Sequence, residues 1–323
     1  MKRKIIIDCD PGIDDSLALI YAIQHPDLEV VALTIVAGNV PVDLGVKNAF
    51  KILERLNRLD IPVYAGADKP LVRDFVSAQD THGMDGLGES RINRTSNCRP
   101  QPQEASEFLA TYFQKTQDTS LIALGPLTNL AMAIEKNPQI GQQIKRFVSM
   151  GGSYKSHGNC SPVAEYNYWC DPHAAQFVYQ KLGRKIEMVG LDVTRAIVLT
   201  PNLLEYMRFL QPEVAEFVGR ITRFYWDFHW EYEHIIGCVI NDPLAIAHFL
   251  HEDLCTGFDS YVEVVTEGIA LGQTVVDAYD FYHQPANAYI ATQVSPSLFF
   301  QDFLAILLNQ PKETIAQDLS SLL

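Results

Sequence analysis

Four aspartates, Asp8, Asp10, Asp14 and Asp15, fall within eight positions of the run Ile5-Ile6-Ile7-Asp8-Cys9-Asp10-Pro11-Gly12-Ile13-Asp14-Asp15. Hard oxygen donors gathered at one point suit Ca²⁺ or Mg²⁺, and no Cys/His pairing nearby argues for zinc. Carboxylates at a helix start are common caps, which accounts for Asp14 or Asp15 taken alone. Capping does not account for all four, because crowded unpaired charge is costly without a cation. The flanking residues predict a strand-to-helix turn: Lys4 to Asp8 is a short apolar run, and Ser16 to Ile23 is apolar nearly all round. Asp8 and Asp10 project to one side if the strand continues through them. Pro11 and Gly12 break the strand, and Asp14 and Asp15 land in the first helical turn, where the dipole favours negative charge.

The rest of the chain alternates strand-like and helix-like runs. Strand patterns cover Leu28 to Ala37, Ile61 to Ala65, Ser120 to Leu124, Phe147 to Met150 and Ile186 to Val193. Helical spacing links Val42, Val46, Ala49, Leu53 and Leu56, and recurs over Ala105 to Tyr112 and Thr128 to Glu135. This rhythm, with strands apolar on both faces, predicts an α/β fold: a doubly wound, mostly parallel sheet with helices on both faces. Such sheets bind ligands beyond the carboxyl ends of their strands. Asp10, Asn39, Gly125, Gly151, Gly152 and Asp192 all fall at such ends. No linker divides residues 1–323, so a single domain is expected. The polar segment Lys69 to Pro102, carrying His82, is long for a loop, and loops of that length are usually functional or mobile.

Composition sets outer bounds. A chain of 323 residues with 47% hydrophobic and 20% charged content is globular. A net charge of -14 repels phosphate backbones and anionic lipid, so neither a nucleic acid polymer nor a membrane is an expected partner. Six cysteines without a CxxC pair read as reduced thiols, and no segment reads as a signal peptide or membrane span, so a cytoplasmic location is expected.

The run Asp8-Cys9-Asp10-Pro11-Gly12-Ile13-Asp14-Asp15 resembles the opening signature of the inosine-uridine nucleoside hydrolase family. The likeness extends in order through Val36-Ala37-Gly38-Asn39, His82-Gly83, Leu124 to Asn129, Met150-Gly151-Gly152, Gly158-Asn159, Ala164 to Asn167 and Asn241-Asp242-Pro243-Leu244-Ala245. Together these blocks are specific, although Met150-Gly151-Gly152 alone is weak. The resemblance implies one Ca²⁺ held by Asp10, Asp15, Asp242 and the backbone carbonyl of Leu124, a plausible hard-cation set. It also implies that Asp14 is the general base for a water attacking the anomeric carbon, and that Asn39, Met150, Asn159, Glu165 and Asn167 contact ribose. The amides and Glu165 would read hydroxyls while Met150 closes the apolar side. Taken singly, Asn39 could simply end a strand, Met150 could be core filler, and Asp242 before Pro243 could be an N-cap.

One departure stands out. Many family members carry His immediately before the late Asp, assigned to protonating the departing base, and this chain has Asn241 there. The resemblance implies that Asn241 faces the substrate there, but an amide is no acid. His82 is the first candidate to replace it, and His234, at the end of the aromatic segment Phe224 to His234, is the second. The expected function is hydrolysis of the N-glycosidic bond of ribonucleosides, pyrimidine or mixed in specificity, by a homodimer or homotetramer. Two alternatives remain: a haloacid-dehalogenase-type Mg²⁺ phosphatase, which also opens on Asp-x-Asp, and a non-catalytic nucleoside or ribose binder.

Overall fold

The computed structural model describes residues 2–320. Its strands are β1 (Arg3–Cys9), β2 (Leu28–Ile35), β3 (Val63–Ala65), β4 (Thr119–Ala123), β5 (Phe147–Met150), β6 (Ile186–Val189), β7 (Val198–Leu199), β8 (Cys238–Val239), β9 (Cys255–Ser260), β10 (Val262–Val264), β11 (Thr274–Val276) and β12 (Ala288–Val294). The helices are α1 (Ile13–Gln24), α2 (Val42–Arg55), α3 (Gln79–His82), α4 (Ala105–Lys115), α5 (Thr128–Lys136), α6 (Ile140–Gln143), α7 (Tyr166–Cys170), α8 (Pro172–Lys181), α9 (Leu191–Thr194), α10 (Pro201–Leu210), α11 (Pro212–Glu233), α12 (Asp242–Leu250), α13 (Pro296–Leu307) and α14 (Lys312–Leu319). Eight strands form one sheet in the order β3-β2-β1-β4-β5-β6-β12-β9, parallel throughout except for β9 against β12. The chain winds outward from β1 to β3 and then returns to build the other half from β4. This is the doubly wound arrangement, with its switch point between β1 and β4.

Both faces of the sheet are dry. Ile5, Ile7 and Cys9 of β1 join the core packed under α1, α2, α12 and α13, while the intervening Ile6 joins the core under α4, α5 and α8. That alternation buries successive residues of a strand on opposite faces, which is why the strand sequences read as largely continuous apolar runs. Among the described residues no helix is long and apolar enough to cross a membrane.

Two details differ from the sequence reading. The Ile186 to Val193 run is not one strand: β6 ends at Val189, and Leu191–Thr194 is helical. The break falls at Gly190, where a Cβ would sit 2.6 Å from the Gly152 carbonyl oxygen, so only glycine lets the two chain turns approach. Asp192 therefore sits on α9, and its carboxylate accepts the backbone N–H groups of Tyr154, Lys155 and Ser156. The 69–102 segment is anchored rather than free. Asp85 Oδ1 accepts from Leu87 and Glu89, Asn48 holds the Asp85 carbonyl, and Glu54 accepts the Thr95 N–H. Within it, α3 carries His82 into the interior.

Candidate active site

The carboxyl ends of β1, β4 and β5 open on a cavity of roughly 680 Å³, including its mouth, lined by Asp14, Asn39, His82, Leu124, Met150, Asn159, Glu165, Asn167, Asn241 and Asp242. At its floor, carboxylate oxygens of Asp14, Asp15 and Asp242 lie within 4.8 Å of one another, although Asp242 is 227 residues from Asp15. Asp10 abuts them, since its N–H donates to Asp15 Oδ1 at 3.2 Å. Asp10 Oδ2 accepts the Asn39 N–H at 2.6 Å, while Oδ1 is buried without a partner. A Cβ on Gly38 would fall 2.0 Å from Asp10 Oδ2, so glycine is what admits this carboxylate. Asp15 also accepts from Gly12 N–H at 3.0 Å and Asn39 Nδ2 at 2.8 Å. It caps α1 and belongs to the cluster at the same time.

The fourth aspartate stands apart. Asp8 accepts from the Thr34 hydroxyl at 2.5 Å and Asn129 Nδ2 at 2.8 Å, tying β1 to β2 and α5. Burial raises the Asp8 carboxyl to about 7. The floor is thus three of the four early aspartates completed by Asp242. Burial, reinforced by the neighbouring carboxylates, raises Asp10 and Asp242 well above the ordinary range and Asp15 to about 6. Among the described residues, no Lys, Arg or His pairs with any of them. Buried carboxylates with one oxygen orphaned and no cationic partner fit a divalent cation bound by oxygen donors. The Leu124 carbonyl lies on the same lining, where Asn167 Nδ2 donates to it at 2.7 Å.

Above the floor, polar side chains are held by their neighbours. Asn167 Nδ2 also donates to the Met150 carbonyl at 3.1 Å, so its amide nitrogen is spent on the backbone. Asn159 Oδ1 accepts the Tyr166 N–H at 2.9 Å. Glu165 caps α7, its two oxygens accepting from Asn167, Tyr168 and Gly152, while burial lifts its carboxyl to about 7. Met150 is buried and touches Asn167. Asp14 Oδ2 accepts both the backbone N–H and the side-chain Nδ2 of Asn241, each at 3.1 Å.

The base-side wall corrects part of the sequence reading. His234 does not line the cavity: it is exposed, caps α11 with a left-handed backbone (φ 56°), and its Nδ1 donates to the Trp230 carbonyl. Helical spacing instead turns Tyr225, Phe228 and His229 inward, because residues three and four apart share a face. The chain reverses after Glu233, so position 234 leaves that face. His82 does reach the cavity, but its Nδ1 accepts the Ile13 N–H at 3.1 Å, leaving its proton on Nε2. Burial holds this imidazole below its usual range. Arg195 and Glu233, which the sequence did not signal, form an ion pair at 2.6 Å on the wall, and Arg195 also donates to the Gly158 carbonyl.

Comparison with known proteins bears directly on this arrangement. The family profile described as "Inosine-uridine preferring nucleoside hydrolase" matches residues 5–301. A "Pyrimidine-specific ribonucleoside hydrolase RihA" of Shewanella oneidensis is 40% identical over 296 residues, covering 90% of this chain and 91% of that protein. Among solved structures, a "Purine-Preferring Ribonucleoside Hydrolase from Gardnerella vaginalis" aligns with TM-score 0.88 at 30% identity, covering 98% of this chain and 99% of that one. A plant nucleoside hydrolase, PpNRh1, aligns with TM-score 0.90 at 30% identity over 95% of this chain and 99% of its own. Fold, carboxylate floor and these likenesses define a glycosidase acting on N-glycosyl compounds. The chain belongs to the inosine-uridine preferring nucleoside hydrolase family, and the phosphatase and non-catalytic alternatives fall away.

Proposed function

We propose that this enzyme hydrolyses pyrimidine ribonucleosides to ribose and free base, with Asp14 as general base and Ca²⁺ on Asp10, Asp15, Asp242 and the Leu124 carbonyl. The observation that carries it is the clamp on Asp14: both N–H donors of Asn241 converge on Oδ2, at the junction of the carboxylate floor and the polar wall. That fixes the carboxylate plane and leaves Oδ1 to take a proton from water within hydrogen-bond reach. When bound, the cation supplies positive charge that acidifies a water and orients the sugar hydroxyls. Asn39, Asn159, Glu165 and Asn167 read the ribose with the acceptor and donor atoms that their bonds to neighbouring protein groups leave over, and Met150 closes its apolar side. The pyrimidine preference is supported by the relative of printed pyrimidine specificity at 40% identity.

One sheet drawing strands from residues 3 to 294 supports a single domain. Exposed Ile269, Tyr279, Phe281 and Tyr282 support a contact between copies, as a homodimer or homotetramer. Free cysteines support a reducing, cytoplasmic setting. The test is a reducing-sugar assay with uridine, cytidine, inosine and adenosine, with and without a calcium chelator. Turnover of the pyrimidine nucleosides that is lost on chelation and regained with Ca²⁺ is expected. Failure to release ribose from any of the four overturns the reading.

A further inference from the structure

We infer that the base leaves this site without receiving a proton from any side chain, so that the enzyme sorts ribonucleosides by the acidity of the departing base. The inference rests on the hydrolase reading above and names the property of the substrate that its base side selects.

The polar groups that line the cavity around His82 are held in forms that give up no proton to the base. His82 lines the cavity, and because its Nδ1 accepts a backbone N–H from the first turn of α1, the ring is neutral. A second proton on Nδ1 would face the Ile13 N–H head on and sit at the positive end of the helix dipole. His229 is fixed at both nitrogens: Nδ1 donates to the Tyr225 carbonyl at 2.8 Å, and Nε2 accepts the Val239 N–H at 3.4 Å. It is therefore a neutral imidazole with no free proton. Asn241 gives its Nδ2 protons to Asp14 and the Tyr225 hydroxyl, and its Oδ1 is buried without a donor. Glu165 belongs to the ribose side in the reading above, and the three backbone N–H groups it accepts oppose the burial that raises its carboxyl to about 7, fixing both oxygens away from the base. Glu233 is paired with Arg195, and a guanidinium does not yield its protons. Tyr225 is buried, which weakens it further as an acid. Of the histidine protons on this wall, the one left over is the Nε2–H of His82, which has no protein acceptor among the described residues. It can hydrogen-bond to a developing anion but is far too weak an acid to protonate it.

Water adds through oxygen to C1′ while the C1′–N bond breaks and its electron pair passes to the base nitrogen. The water proton goes to Asp14, and the base departs as an anion that solvent protonates afterwards. With nothing else to offset the charge on the leaving nitrogen, the rate tracks the stability of that anion.

The experiment measures kcat/KM for p-nitrophenyl ribofuranoside, 5-fluorouridine, uridine and 5-methyluridine with saturating Ca²⁺, in the wild type and in His82→Gln. A fall of about tenfold for each unit by which the leaving group's pKa rises is expected. Glutamine can still accept from Ile13 and donate towards the base, so His82→Gln is expected to lower all four rates by a common factor and keep the slope. A rate nearly independent of leaving-group acidity overturns the inference, as does a slope that steepens only in His82→Gln, which would make His82 the proton donor. Ribose release with a flat dependence overturns this inference alone, whereas no release from any member overturns the hydrolase reading itself.

Discussion

At the scale of single residues, the site is economical with polar atoms, since nearly every one is already bonded on one side. Asp14 is the clearest case, with Oδ2 occupied by Asn241 and Oδ1 left over. Asp14→Asn is expected to cut kcat by about 10²- to 10⁴-fold, the usual cost of removing a general base. It should not lower the melting temperature, because it removes one charge from a crowded floor. A kcat within tenfold of wild type would exclude Asp14 as the base. The sugar wall carries a second expectation. A site that bonds a hydroxyl strands its own buried groups when that hydroxyl is missing. Uridine should therefore exceed 2′-deoxyuridine in kcat/KM by at least about 10²-fold, and equal rates would contradict the assignment of these side chains to ribose.

At the scale of elements, the opposite end of the sheet shows what a buried carboxylate does when it has partners. Asp302 of α13 accepts from Lys312 of α14 at 2.8 Å and from the Tyr21 hydroxyl of α1, with His251 at 3.2 Å and His25 at 3.6 Å. Burial works to raise this carboxyl, yet those partners together hold it well below the usual range. The His25, His251 and Asp302 atoms lie close enough for a metal. However, His25 Nδ1 accepts the Asp27 N–H, so its Nε2 carries a proton and cannot serve as a ligand. The cluster is a tie joining α1, α13 and α14. Asp302→Ala should destabilise the fold by about 3 kcal/mol, the order expected when one side of a buried charged network is removed. Activity per folded molecule should be unaffected. Thermal or denaturant unfolding at neutral pH checks the loss; a change within the error of the melt would mean that the tie contributes nothing.

At the scale of the whole molecule, the carboxylate floor links ion binding, pH and stability. Without a cation, burial raises Asp10, Asp15 and Asp242, so the folded state binds protons more tightly than the unfolded chain. The sign follows: stability of the metal-free protein is fully present below about 4, the unfolded carboxylate value, and falls as pH rises through about 6 and above. Each tenfold in proton affinity gained on folding corresponds to about 1.4 kcal/mol. Calcium should oppose this loss, stabilising strongly at pH 7.5 and little at pH 4.5. Melting curves at both pH values, with chelator and with excess calcium, check the expectation. An equal calcium effect at both would separate the ion from these three residues.

The chain's local patterns determined the parallel sheet and its site edge, because two-sided burial forces apolar strands and because strand ends followed by Gly, Asn and Asp mark the loops that face a ligand. They also marked Asp8, Asp10, Asp14 and Asp15 as a crowd that capping alone does not explain, while Asp242 was implied only by the family resemblance and was brought to the floor by the fold. They could not separate Asp8 from that set, because which face a strand-end side chain takes depends on where β2 and α5 supply Thr34 and Asn129. Nor could they place His234 outside and Tyr225 and His229 inside, or find the Arg195–Glu233 pair, because a helix end and a distant partner are fixed only by packing. The protonation of His82 is likewise a tertiary decision. A histidine in a polar loop reads as a titratable group until the first turn of α1, brought beside it by the fold, donates an N–H to its Nδ1 and leaves the ring neutral.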